Sequence, residues 1–274
     1  MGRFDGKVAF ITGAARGQGR SHAVKLAEEG ADIIALDICE QIPTVFYPMS
    51  TKEDLDETAS LVRAAGGRIV THVGDVRRRE DVQRAYDLGI AEFGHVDIVL
   101  ANAGIMPVIN EGAQVQAWHD GVDVLLTGVW NVIDIVTPAM IERGEGGSII
   151  ITSSTAGLSS LGLNTLPGQA AYVAAKHGVV GLMRLYSSQL GKHGIRVNTV
   201  HPCGVDTPMV SNDEYTAFAT ANPDVAAGSK FDNALPVRKI EATDISNAVA
   251  FLASDDARYV TGVTFPVDAG FLNV

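Results

Sequence analysis

Two hydrophobic periods alternate along the chain. Short apolar, β-branched runs at 7–12, 32–36, 68–73, 96–101, 147–153, 194–200 and 263–267 read as buried strands. Segments with helical spacing fall between them, at 17–29, 51–65, 79–93, 114–143, 168–190 and 243–253. In the first of these, Ala23, Leu26 and Ala27 make one apolar stripe, and Gly30 ends the helix as a left-handed cap. Pro138 is expected to interrupt or kink the long 114–143 stretch. Strands that alternate with helices imply parallel pairing, with helices on both faces of one sheet. The expected fold class is α/β, a doubly wound parallel sheet whose ligand crevice lies at the carboxyl ends of the strands. No repeat, low-complexity tract or linker divides residues 1–274, so one domain is expected.

Composition narrows the function. Hydrophobic residues are 46% and charged residues 19%, enough for a sizeable core. The net charge of −11, from 21 Lys and Arg against 32 Asp and Glu, opposes nucleic acid and anionic membranes. The one basic run, Arg77-Arg78-Arg79, reads as a solvated helix start. Two isolated cysteines, Cys39 and Cys203, suit a reduced, cytoplasmic protein. No run reaches the roughly 18 uninterrupted apolar residues of a membrane helix. The scattered histidines have no shared ligand spacing, so no metal is expected.

The remaining chemistry lies just after the strands. Thr12-Gly13-Ala14-Ala15-Arg16-Gly17-Gln18-Gly19 joins the first strand to the first helix. There Gly13, Gly17 and Gly19 let the backbone approach a pyrophosphate, while the helix N-terminus supplies free N–H groups; glycines also serve as plain turn formers. Asp37 closes the second strand, where a carboxylate accepts from ribose hydroxyls and repels a 2′-phosphate, favouring NAD over NADP. Arg16 pulls toward the phosphate unless it is simply solvated. Asp75-Val76 is placed to cap an adenine edge, or to start a helix, and Asn102-Ala103-Gly104 lets a cofactor cross the sheet edge. Tyr172 and Lys176 stand four apart on one helical face, where the ammonium favours the phenolate. Ser154 follows the fifth strand, within reach of a substrate oxygen.

Taken together, TGAARGQG, Asp37, the NAG triplet, Ser154, YVAAK, PCGVDTPM and YVTG resemble the short-chain dehydrogenase/reductase family across essentially the whole chain. The resemblance implies a Rossmann fold and an NAD-dependent oxidoreductase acting on CH–OH groups. Tyr172 would be its acid/base, Lys176 would also hold the nicotinamide ribose, and Ser154 would orient the substrate oxygen. It also implies cofactor contacts at Gln18, Ile38 and Pro202, with Val205 and Thr207 beside the carboxamide, and a homotetramer built on helices near 114–143 and 168–190.

The extra segment 38–50, with GQGRSHAV and AAKHGVVGLMR, resembles the carveol-dehydrogenase-like, mycofactocin-associated branch. There the segment covers NAD, which is retained between turnovers and reoxidised by the peptide-derived mycofactocin. A decorated loop on an ordinary NAD(P)-exchanging carbonyl reductase is the other reading. One departure is Leu125-Leu126-Thr127-Gly128, where the family carries Asn-Leu-Thr-Gly and the Asn supports a water relay to the Lys. Leu125 cannot hold that water, and Asp123 and Thr127 are expected to point elsewhere. Slowed proton exchange follows, or a catalytically weak NAD-binding sensor or scaffold. Residues 203–240 form a candidate lid, with Met209, Tyr215, Phe218 and Phe231 offering an apolar lining suited to a terpenoid-like secondary alcohol or ketone. His201 precedes Pro202 near the crevice, where it either touches ligand or is a structural or solvated loop histidine.

Overall fold

The sheet is built from strands too apolar to face water on either side. In β1 (Val8–Thr12) all five residues are buried. Val8 and Phe10 pack into one core, Ala9 and Ile11 into the other. This computed structural model describes residues 2–107, 113–159, 165–221 and 233–273. Its main sheet adds β2 (Asp32–Asp37), β3 (Ile69–Val73), β4 (Ile98–Ala101), β5 (Gly147–Thr152), β6 (Ile195–Pro202) and, late in the chain, β9 (Thr264–Val267). The order is β3-β2-β1-β4-β5-β6-β9, with every pairing parallel. Strand order reverses between β1 and β4, the switch point where such folds open a ligand crevice.

Helices α1 (Gly17–Glu28) and α2 (Lys52–Ala64) cover one face, through Ala23, Leu26, Leu55 and Val62. The other face carries α3 (Arg79–Phe93), α4 (Gln114–Val122), α5 (Gly128–Arg143) and α6 (Pro167–Leu190), with Val82, Val132, Val136, Val179 and Met183 inward. Two short strands, β7 (Val205–Asp206) and β8 (Ile240–Glu241), pair with each other, α7 (Asp213–Ala221) lies between them, and α8 (Ala242–Ala253) returns to the α1 face. The 203–240 connection therefore carries structure of its own.

The expected break at Pro138 is not where the helix changes. Pro138 sits inside α5 on its exposed side, and the helix runs on through it. The irregularity is a π-helical turn at Asp123–Thr127, between α4 and α5. The stretch Gln114–Arg143 is long and apolar enough to cross a membrane by length and composition alone, and 61% of its apolar window is buried inside the fold.

Candidate active site

The switch point is stitched by Thr12 and Asn102. The Thr12 hydroxyl accepts from the backbone N–H of Asn102 and Ala103, each at 3.1 Å. The Asn102 amide donates back to the carbonyls of Thr12 (3.1 Å) and Gly13 (3.3 Å). This closeness demands glycine at position 13: its φ is +67°, and a Cβ there would lie 2.7 Å from the Ala103 Cα. At Gly19 a Cβ would strike the Gly13 carbonyl oxygen at 1.9 Å, so the loop also folds onto α1 through bare backbone. The N-terminus of α1 has no side-chain cap, unlike α2, which carries a Thr51–Asp54 capping box. Its first N–H groups are thus open to an anion. Gln18 adds a buried side-chain oxygen without a hydrogen-bond partner.

Asp37 is buried at the end of β2. Its Oδ2 accepts from the Ala15 N–H at 2.8 Å, and its Oδ1 from the Ser50 hydroxyl at 2.6 Å and the Cys39 N–H at 3.2 Å. The carboxylate therefore joins the glycine loop to the 38–50 segment. That segment is part of the core: Ile42, Val45 and Tyr47 pack against it. The Tyr47 hydroxyl accepts from the Met106 N–H at 3.2 Å, and Phe46 stacks on Tyr215 of α7 with centroids 6.3 Å apart. Arg16 reaches the same segment, donating to the Pro48 carbonyl. Thr44 donates to Asp120 at 2.6 Å, and Asp120 pairs with Arg77 at 2.8 Å. Arg77 also holds Asp75, so Asp75 anchors this chain of ion pairs and does not cap α3. Arg78 and Arg79 pair with Glu80 and Asp134, which leaves the basic run neutralised.

At the other end, α6 begins with Pro167 at its first position and presents Tyr172 and Lys176 on one face. Lys176 is 4% exposed, its Nζ donates to the Thr152 carbonyl at 2.7 Å, and it lies 5.6 Å from the Tyr172 ring centroid. Burial lowers its pKa to about 8. Burial raises that of Tyr172, partly opposed by its hydrogen bond with Ser154. Ser154 also accepts from the Ala156 N–H at 3.2 Å, and its own carbonyl meets His201. His201 is therefore a buried support, and it lies within β6 where a loop position was expected.

One crevice brings together Gly13, Arg16, Gly17, Gln18, Gly19, Asp37, Ile38, Asp75, Val76, Asn102, Ala103, Gly104, Ser154, Tyr172, Lys176, Pro202, Val205 and Thr207. Thr207 stands over the glycine loop: a Cβ on Gly17 would meet its side chain at 3.4 Å. Met209 and Tyr215 line the crevice as well, whereas Phe231 and the side chain of Phe218 lie outside the described residues. Leu125 lines it and is 1% exposed, while Asp123 and Thr127 are not among the lining residues. The sequence reading missed Ser50, Tyr47 and Gln169. Only Gln169 carried a local signal, three residues before Tyr172 on the same helical face. Both cysteines are free, with burial raising Cys39 to about 12 and Cys203 to about 11. Among the described residues no cluster of His, Cys, Asp or Glu suits a metal.

A nucleotide-type cradle and a Ser–Tyr–Lys cluster in one crevice of a doubly wound sheet define an oxidoreductase class. The family match spans residues 13–272 and is described as enoyl-(acyl carrier protein) reductase. The chain is 44% identical to a (−)-trans-carveol dehydrogenase of Rhodococcus erythropolis, over 98% of this chain and 99% of that one. A carveol dehydrogenase from Mycobacterium avium, solved in complex with NAD, has a TM-score of 0.90 and 50% identity, with 99% of each chain covered. A short-chain dehydrogenase from Mycobacterium paratuberculosis bound to NAD has a TM-score of 0.87 and 44% identity, with 100% of both chains covered. The chain belongs to the short-chain dehydrogenase/reductase family.

Proposed function

We propose that the protein binds NAD and interconverts a secondary alcohol and its ketone, with an apolar, terpenoid-like skeleton. The observation that carries this reading is the convergence of Ser154, Tyr172 and Lys176 on the crevice that also holds Asp37 and the glycine loop. NAD fits the residues present. The bare backbone at Gly13 and Gly17 and the uncapped N-terminus of α1 suit a pyrophosphate. Asp37 and Ile38 would hold the adenosine ribose, Asp75 and Val76 the adenine, and Asn102, Ala103 and Gly104 the crossing of the sheet edge. Lys176 would hold the nicotinamide ribose, with Pro202, Val205 and Thr207 beside the carboxamide. Bound NAD supplies the hydride acceptor for oxidation or, once reduced, the donor for reduction.

The chain's own residues supply the proton chemistry. Ser154 orients the substrate oxygen against the Tyr172 hydroxyl. Tyr172 then exchanges a proton at that oxygen as general acid or base. Lys176, with its pKa at about 8, is mostly protonated at neutral pH, and its charge favours the Tyr172 phenolate against the burial that opposes it.

The ordered 38–50 segment, tied to Asp37, Asp120 and α7, supports retention of NAD between turnovers and reoxidation by mycofactocin. Exposed Val115, Trp118, Trp130 and Leu185 on α4, α5 and α6 support a homotetramer, and the free thiols support a cytoplasmic location. Mass spectrometry of gently released ligand tests retention: NAD surviving purification is expected, whereas ready exchange of free NAD indicates an ordinary carbonyl reductase. Leu125 favours a second reading, an NAD-binding sensor or scaffold. Tyr172→Phe separates the two, since an enzyme loses turnover by roughly 100-fold or more while keeping NAD binding.

A further inference from the structure

One arginine holds the carboxylate assigned to the adenine. Arg77 gives Asp75 three hydrogen bonds. Its backbone N–H reaches Oδ1 at 2.9 Å, while Nε at 2.7 Å and Nη2 at 2.6 Å both reach Oδ2. An ionised carboxylate offers about four acceptor places, two on each oxygen. Oδ2 is therefore filled, and Oδ1 keeps one place. Asp75 lines the crevice and its side chain stays 13% exposed, whereas Arg77 is not among the described residues that line it. The arginine therefore reaches the crevice through Asp75.

The same guanidinium serves a second carboxylate. Its Nη1 donates to Asp120 Oδ1 at 2.8 Å, where Gln116 Nε2 also donates at 3.1 Å. Asp120 Oδ2 accepts from the Thr44 hydroxyl at 2.6 Å. Asp120 and Thr44 are 4% and 1% exposed. A carboxylate so buried needs a compensating charge, and Arg77 supplies it. The chain Asp75–Arg77–Asp120–Thr44 thus joins the loop after β3 to α4 and to the 38–50 segment. That segment lines the crevice beside Asp75, through Ile38, Ile42, Tyr47, Met49 and Ser50. We propose that Arg77 is a positioning residue for the nucleotide: it keeps one place on Asp75 Oδ1 for the adenine amino group, and through Asp120 and Thr44 it ties that fit to the 38–50 segment. An amino group donates to that place, whereas a 6-oxo purine brings a carbonyl oxygen against a carboxylate. Lysine lacks the planar fork that serves both carboxylates at once. The inference rests on the assignment of Asp75 and Val76 to the adenine given above.

The test incubates the purified protein with an excess of NAD and nicotinamide hypoxanthine dinucleotide, its 6-oxo analogue, in equal amounts. Once the bound ratio is constant, the nucleotides are released by denaturation and identified by mass spectrometry. Isotope-labelled NAD, followed in the same way, gives the exchange rate of the bound nucleotide. The wild type is expected to take NAD over the analogue by roughly tenfold, and Arg77→Met to bring that ratio within about threefold of one. Thr44→Val removes a hydroxyl at nearly constant shape and is expected to speed exchange roughly tenfold. An unchanged ratio in Arg77→Met overturns the proposal, since a purely structural role would weaken both nucleotides alike. Unchanged exchange in Thr44→Val overturns the tie to the 38–50 segment. If Arg77→Met does not fold, Arg77→Lys takes its place, with the same narrowing expected. A wild type that takes both dinucleotides equally overturns the adenine assignment and the proposal with it. Failure of NAD binding itself looks different, because neither dinucleotide is then recovered.

Discussion

His201 holds Ser154 from behind: its Nδ1 lies 2.8 Å from the Ser154 carbonyl oxygen. A carbonyl only accepts, so Nδ1 carries the proton, and in the neutral ring Nε2 accepts from the Thr199 hydroxyl at 2.8 Å. Burial lowers the His201 pKa to about 4; the Ser154 carbonyl opposes this, and the charges of Lys176 and His177 add to it. The unfolded chain therefore takes up a proton near pH 6.5 that the fold refuses until about pH 4. Stability tied to His201 is present above that window and is lost as pH falls through it, by about 3 kcal/mol. His22, lowered to about 3 by burial, acts in the same direction. His201→Leu should flatten the acid limb of melting temperature against pH and lower kcat about tenfold, with NAD affinity little changed. A steep limb unchanged in the variant would remove His201 from this role.

Lys176 works at the opposite end of the pH scale. Its folded pKa of about 8 lies below the ordinary lysine value of 10.5, so the unfolded chain binds the extra proton between those values. Stability thus rises with pH across that window and is lost as pH falls through about 8. The contribution is on the order of 3 kcal/mol in protein stripped of nucleotide. Denaturant titrations of wild type and Lys176→Met at pH 7.5 and 10 check it, the wild type gaining on the variant at the higher pH.

Asp37 couples nucleotide choice to the added segment. Its carboxylate takes the Ser50 hydroxyl and two backbone N–H groups, so it offers a fixed negative charge where a 2′-phosphate would arrive. Asp37→Asn removes the charge and turns an amide donor toward donors. The preference for NAD over NADP should narrow by roughly 10- to 100-fold, read from binding titrations with both nucleotides. NAD release should also quicken, because the Ser50 anchor is weakened. An unchanged nucleotide ratio would count against the ribose assignment.

The sequence disclosed these elements in proportion to how local their causes are. Both-face burial makes β1 and β4 continuous apolar runs, and a helical period places Tyr172 and Lys176 together before any fold is known. Glycines 13 and 19 are legible as close-approach positions because backbone contact excludes every side chain. The π-helical turn at Asp123–Thr127 was hidden, since a shifted hydrogen-bond register carries no residue signature, while the conspicuous Pro138 lies on an exposed face and leaves α5 intact. Ser50 on Asp37, Thr44 on Asp120 and His201 on Ser154 join residues 13, 76 and 47 apart. Only the folded crossovers bring such pairs within reach. Arg16 illustrates the same limit: its choice of the Pro48 carbonyl depends on where the 38–50 segment folds.

Leu125 sits at the centre of the π-helical turn, where the family resemblance implies an asparagine. Its side chain packs beside Gly104: a Cβ on Gly104 would lie 3.3 Å from Leu125 Cδ2 and 3.9 Å from Lys176 Nζ. Leu125 and the Lys176 ammonium therefore both border Gly104. Among the described residues, the Thr152 carbonyl is the one acceptor within hydrogen-bond distance of Nζ. Proton exchange between Tyr172 and solvent must then avoid this position, so proton transfer is expected to limit turnover more than hydride transfer does. Leu125→Asn supplies a polar side chain there, with a stability loss of about 1–3 kcal/mol for burying an amide. The variant should show a smaller solvent deuterium isotope effect on kcat and a larger effect from deuterating the substrate carbon. If neither isotope effect nor turnover changes in a folded variant, Leu125 does not control the proton path.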